Sequence, residues 1–179
     1  MAQTRGQGAF TITLEPLALR NLIATLNMMD KETQGRVRDA AQPLSARLAG
    51  QLMQAADSAP TPQARLVAMS ITTPRDRLIR VDIGGSKKVG RKFGGEASKS
   101  GKGKKVKMSA APAGALLWGS EHGSHPGVDR SGRAYSNRFK VGRSERGYWI
   151  TPAVDDYAPI VAAEYISIVK GIINDLELN

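Results

Sequence analysis

The chain contains no cysteine, which excludes a disulfide framework, thiolate metal sites and thiol catalysis together and suits a reducing compartment. Aromatic residues are scarce, at 5% against 19 glycines, so the core must be aliphatic and modest, with much of the chain in loops and stability leaning on neighbours. No stretch approaches ~20 consecutive apolar residues, and the first residues carry no basic region followed by an apolar run. The expectation is a protein neither exported by a signal peptide nor spanning a membrane. No period of 20–50 residues recurs along the chain, so a solenoid is not indicated.

What is present suits one domain over residues 1–179, because 41% hydrophobic content and this length are ordinary for a single core. The net charge of +10 is unevenly placed: residues 75–112 carry +9, residues 113–152 carry +3, and residues 153–179 carry −4. A basic middle and an acidic tail in one domain suit contact with a polyanion or head-to-tail association between copies.

Taken in order, residues 9–14 alternate apolar residues with threonine and read as a strand ended by Glu15-Pro16. Leu19, Leu22, Ile23, Leu26 and Met29 fall at helical spacing, giving a short amphipathic helix. Asp30 caps the next one, over 31–56, whose stripe is Val37, Ala40, Ala41, Leu44, Leu48, Leu52 and Ala55. Pro43 within it predicts a kink or two abutting helices. Residues 62–69 are either one more helical turn or a linker. Residues 77–83 are β-rich and stop at Gly84-Gly85.

Residues 86–108 then read as a long mobile basic arm, and residues 127–147 as a polar, basic loop. The loop is framed by two short apolar runs, 115–118 and 147–150, which read as paired strands that bring Trp118 and Trp149 into a sheet. Thr151-Pro152 offers a helix cap with proline at the first helical position, or, because of Pro159, the regular helix begins nearer Tyr157, ahead of a terminal stripe of Val161, Tyr165, Ile168, Val169, Ile172 and Leu176. The fold class is therefore α+β: kinked N-terminal helices and a C-terminal helix packed on a small, mostly antiparallel sheet, with long basic loops.

Candidate chemistry is thin. His122, His125 and Asp129 lie close in sequence, but glycines and Pro126 argue against a helix presenting them together, and a polar turn accounts for them. Ser120, Ser124 and Ser144 lack the Gly-x-Ser-x-Gly elbow, and Gly84-Gly85-Ser86-Lys87-Lys88 lacks the full phosphate-loop pattern. The expectation is no enzyme, no cofactor and no metal. The basic residues are another matter. Lys87, Lys88, Arg91, Lys92, Lys102, Lys104, Lys105 and Lys107, with Arg130, Arg133, Arg138 and Arg143, could neutralise nucleic-acid phosphates or pair with a neighbour's acids such as Asp155, Asp156, Glu164, Asp175 and Glu177. With Phe93 alone as an aromatic, the arm is poorly equipped for base stacking.

Three short motifs, in order, carry a resemblance: Ile83-Gly84-Gly85, then Trp118-Gly119-Ser120-Glu121-His122-Gly123, then Tyr148-Trp149-Ile150-Thr151-Pro152. With the long helix before them and the terminal helix after, residues 31–176 resemble the neck or tail-completion family of small virion proteins in long-tailed bacteriophages. The resemblance implies a non-catalytic α+β protomer, made in the bacterial host cytoplasm, that forms a ring at the head–tail junction. Its implied partners are copies of itself, neighbouring connector and tail proteins, and the packaged DNA in the channel, with no membrane. Gly84, Gly85, Trp118, Gly119, Glu121, Gly123, Tyr148, Trp149 and Pro152 transfer as structural marks. The competing reading is a free-standing, basic nucleic-acid-binding protein.

Overall fold

The computed structural model describes residues 8–14, 30–91, 110–128, 130–132 and 134–177. The helix expected over 17–29 lies outside them. The alternating threonines form β1 (Ala9–Leu14), and the β-rich run forms β2 (Ile79–Gly84), paired antiparallel with Ile12 opposite Val81. Between them in sequence lie α1 (Lys31–Ser58) and α2 (Ala64–Ala68). The short helix α2 settles the alternative left open at 62–69.

Helix α1 begins where a carboxylate can take an orphan donor: Asp30 Oδ1 accepts from Thr33 N at 2.7 Å. That bond holds the Asp30 carboxyl below its ordinary value. The helix runs through Pro43 as one element rather than two abutting helices. Proline here removes only the single donor that would have reached Asp39, while Val37, Leu44, Leu48 and Leu52 stay fully engaged in the core.

After β2 come β3 (Lys88–Arg91) and β4 (Ala110–Pro112), an antiparallel pair, so part of the segment read as an arm is a β-ribbon, with 92–109 joining its strands. Next is α3 (Ala113–His122), then a small hairpin of β5 (Gly127–Val128) and β6 (Ala134–Tyr135). The chain ends in α4 (Ile150–Glu177), which carries Pro159 inside it. Mixed helix and antiparallel strands around one core make this an α+β fold.

Helix α4 packs chiefly along α1, and α1 in turn packs on β2, so one aliphatic core spans all three layers. Val161, Tyr165, Val169 and Ile172 supply α4's side of it. Arg36 pairs with Asp175 at 3.1 Å and Arg47 with Glu164, which fixes the two helices antiparallel. Both pairs are exposed and screened by solvent, so the apolar seam rather than these ions holds the helices together.

Two buried hydroxyls tie the layers. Ser45 Oγ donates to Ala41 O and accepts from Arg80 N at 3.1 Å, linking α1 to β2. Ser70 Oγ accepts from Gly84 N at 2.8 Å, linking the end of α2 to the end of β2. Tyr165 is wholly buried and donates its hydroxyl proton to the carbonyl of Arg77.

Burial pushes the Tyr165 phenol up from 10.0 to about 12, because the anion would sit in apolar surroundings. The unfolded chain loses this proton near pH ~10, so the tyrosine's contribution is intact below that pH and is lost as pH rises through about 12. Chemical denaturation between these limits is expected to show about 2–3 kcal/mol of lost stability attributable to this group. The Tyr165→Phe protein should lack that step; an identical pH profile in both proteins would count against this burial.

The Glu121 junction as a candidate assembly site

Residues 115–118, read from sequence as a strand, are helical. A four-residue apolar run cannot by itself separate a strand from a buried helix, and alanine-rich surroundings at 110–117 favour the helix. The start of α3 is held by the Gly-Gly turn after β2: Ala113 N donates to Lys87 O at 2.8 Å, and Gly114 N to Gly85 O at 2.9 Å. Gly84 and Gly85 have φ of 95° and 73°, a region in which a side chain is strained. Gly123 ends the helix with φ 70° and donates to Gly119 O.

At that C-terminal end lies the junction. Glu121, 5% exposed, is not a surface acid. Its Oε2 accepts from Trp149 N at 3.1 Å and Ile150 N at 2.8 Å, and its Oε1 accepts from Thr151 N at 2.8 Å. The first turn of α4 is closed by Ala153 N donating to Trp149 O, so Trp149, Ile150, Thr151 and residue 152 hold the orphan N–H positions of that helix. Residue 152 is proline and has no donor. One carboxylate therefore satisfies every unpaired backbone donor at the start of a 28-residue helix, and its charge faces the helix's positive end.

Thr151 was the expected cap with Pro152 first in the helix, whereas Trp149 occupies the cap position and a distant acid does the capping. Residues 147–149, expected as part of a strand, are the approach to that helix, and Ile150 begins it. Gly147 has φ 84°, and a Cβ there would lie 2.0 Å from Glu121 Oε1. Only glycine lets the chain pass the carboxylate.

The two tryptophans also separate. Neither lies in the expected sheet: Trp149 is 1% exposed, buried in the core at the start of α4, while Trp118 is 66% exposed on α3. Helical geometry turns Leu116 and Leu117 inward and leaves Trp118 outside, its ring 4.1 Å from the His122 ring at a 39° tilt. His122 Nδ1 lies 2.8 Å from Ser144 O, while Ser144 N donates back to His122 O.

Residues 137–148 fold back onto this end of α3. Asn137 organises the return: its Oδ1 accepts from Ser124 Oγ and Phe139 N, and its Nδ2 donates to Val141 O. The Phe139 ring then lies where any side chain at position 119 would be, with a Cβ at Gly119 only 2.1 Å from it. Tyr148 OH donates to Gly142 O at 3.0 Å, and Thr61 Oγ1 donates to Ser120 O at 2.7 Å from the α1–α2 side. All three motifs of the sequence reading thus meet at α3: the Gly-Gly turn at its start, the Trp-Gly-x-Glu-x-Gly segment within it, and Tyr-Trp-x-x-Pro at its end.

The described basic candidates are spread over separate segments. Lys87 Nζ donates to Met69 O, Lys88 is exposed on β3, Arg130 and Arg143 are exposed in the later segment, and Arg138 is half-buried with its carbonyl accepting from Gln63. Arg91 closes β3, while Lys92, Lys102, Lys104, Lys105, Lys107 and Arg133 lie outside the described residues. Of the acids named as partners for a neighbour's arm, Glu164 and Asp175 are already engaged by Arg47 and Arg36. Asp155 and Asp156 remain on the exposed side of α4. Among the described residues there is no group of three His, Cys, Asp or Glu placed to hold a metal, and no helix long and apolar enough to cross a membrane.

Comparison of the chain with protein-family models, with curated proteins and with solved structures finds no match.

Replacing Glu121 with Ala is expected to cost about 2–4 kcal/mol, since three helix donors at a buried site lose their acceptor. Gly147→Ala should cost a similar amount by displacing the same carboxylate, so the double variant should lose clearly less than the sum of the two. Additive losses in urea denaturation would show that Gly147 does not act through Glu121. For the tryptophans, Trp149→Ala should cost about 3–5 kcal/mol and Trp118→Ala about 0.5 kcal/mol or less in the isolated chain; equal losses would contradict their placement.

Proposed function

We propose that this chain is a structural virion protein of a long-tailed bacteriophage, assembling as a ring at the junction between head and tail. The observation that carries the reading is the meeting of the three motifs at α3. Segments far apart in sequence, which together suggested the neck or tail-completion resemblance, form one connected unit in which the motif glycines, Glu121, Tyr148, Trp149 and Pro152 each have a physical task. A chance scatter of short motifs has no reason to do so.

The surface supports an assembling protein. Trp118 is 66% exposed and Val128 64%, both in the part of the chain that follows the β-ribbon. In a chain with only 5% aromatic residues, leaving a tryptophan in water is a cost that a partner's surface would recover. In this reading the basic residues of 86–108 contact neighbouring protein, because a channel that must release DNA rapidly gains little from a dense cationic grip.

Deleting the gene from the phage that encodes the chain should leave DNA-filled heads and separate tails, visible by negative-stain microscopy. Normal infectious particles from a clean deletion would overturn the assignment. Neutralising Lys102, Lys104, Lys105 and Lys107 should stop heads and tails from joining; complete particles that leak DNA would instead place those lysines on the channel.

A further inference from the structure

The β1–β2 sheet has two edges, and the fold treats them differently. The outer edge of β2 is fully covered: Arg80 N donates to Ser45 Oγ, Asp82 exchanges both backbone bonds with Thr72 at 2.9 Å, and Gly84 N donates to Ser70 Oγ. These three residues therefore point their backbone groups away from β1. In an antiparallel pair hydrogen-bonded and non-bonded positions alternate, so Thr11, opposite Asp82, turns its own N–H and C=O outward as well. Ala9 and Thr13 share that direction, whereas Gly8 accepts from Gly85 N on the inner side. Among the described residues nothing pairs with this outer edge.

The edge also lacks the usual protection. Natural sheets guard an open edge with lysine, proline, a bulge or an inward charge. Residues 9–14, Ala-Phe-Thr-Ile-Thr-Leu, contain none of these, and the pairing with β2 is regular throughout. Phe10 lies on the same face as the buried Ile12, two residues on, yet is 50% exposed. The sheet's core face is left short of cover on the side where its backbone is unpaired.

We infer that β1 is a docking edge for β1 of a second copy of this chain, the two strands pairing antiparallel about a two-fold axis at Thr11. The strand is complementary to itself in that register. Thr11 exchanges backbone bonds with its counterpart, and Ala9 with Thr13 of the other copy. Phe10 faces the other copy's Ile12 at a non-bonded position, where side chains come closest. No charged side chain on either strand opposes the contact, and each half-exposed Phe10 gains an aliphatic neighbour on the core face. The product is a continuous four-stranded antiparallel sheet, an isologous contact distinct from the head-to-tail contacts of a ring. The inference rests on the strand alone and stands whether or not the chain is a virion protein.

Because the chain has no cysteine, single introduced thiols report the register cleanly. In the full-length protein, Thr11→Cys should form a reducible covalent dimer under mild oxidation, since opposed bonded residues lie about 5.5 Å apart at Cα, within disulfide reach. Thr13→Cys should not, being four residues out of register with itself, but combining it with Ala9→Cys should restore cross-linking. Thr11→Pro, which removes an outward N–H without touching the bonds to β2, and Thr11→Lys, which sets like charges face to face, should each halve the mass measured by light scattering. Circular dichroism would confirm that both remain folded. Failure of Thr11→Cys to cross-link, cross-linking of Thr13→Cys alone to the same extent, or a mass unaffected by folded Thr11→Pro and Thr11→Lys would each overturn the inference.

Discussion

A single carboxylate, that of Glu121, closes the first turn of the terminal helix from the end of another helix, and most of the junction's geometry follows from it. Three N–H groups converge within 3.1 Å of its two oxygens, so α3 must be helical to its last residue to aim the side chain. The chain must also pass close enough at position 147 that only glycine fits. Proline at 152 completes the account by removing the one donor the carboxylate could not reach. A surface cap can be lost for about 1 kcal/mol, but a buried one takes its desolvated donors with it. The α1–α4 seam thus has its α4 partner held in place from outside the seam.

This arrangement explains what could and could not be read from the sequence. β1, β2 and the start of α1 were legible because their causes are local: alternation over six residues, a Gly-Gly stop, an aspartate three residues before the donor it caps. The cap of α4 was not, since its acceptor lies 28 to 30 residues before its donors and Thr151-Pro152 offers a plausible local cap in its place. The strand reading of 115–118 failed for a related reason. What makes that run helical is the turn at Gly85 and Lys87 receiving its first donors, a contact made across the fold. Two glycines carried a signal that was read otherwise: Gly123, taken against a helix, is a helix stop, and Gly147, taken as the start of a strand, is a point of close approach.

The site residues divide along the same line. Glycines, Glu121, Tyr148, Trp149 and Pro152 were singled out as marks without tasks, and the structure supplies the tasks. Trp118 shows the opposite case. It shares its residue type and its apolar neighbours with Trp149, and sequence gave no reason to part them. Helical rotation does: with Leu116 and Leu117 inward, the next position points outward. Asn137 went unnoticed because its composition is that of any polar loop, yet its two ends bind Ser124, Phe139 and Val141 and so return the chain to α3.

Where the fold spends its polar side chains is informative about where it leaves surface unspent. Ser45, Ser70 and the Thr72 backbone all go to one edge of a two-stranded sheet, and Asn137, Thr61 and Glu121 all go to one end of α3. Opposite the first lies the β1 edge, unpaired among the described residues, with Phe10; beside the second lies Trp118. A two-stranded sheet is marginal by itself, so an edge left unguarded on it weakens the protomer unless something else pairs there. The same reasoning applies to a tryptophan kept in water when aliphatic residues would hold the helix equally well. Both positions fit the proposed assembly of several copies, and neither follows from the needs of the isolated protomer.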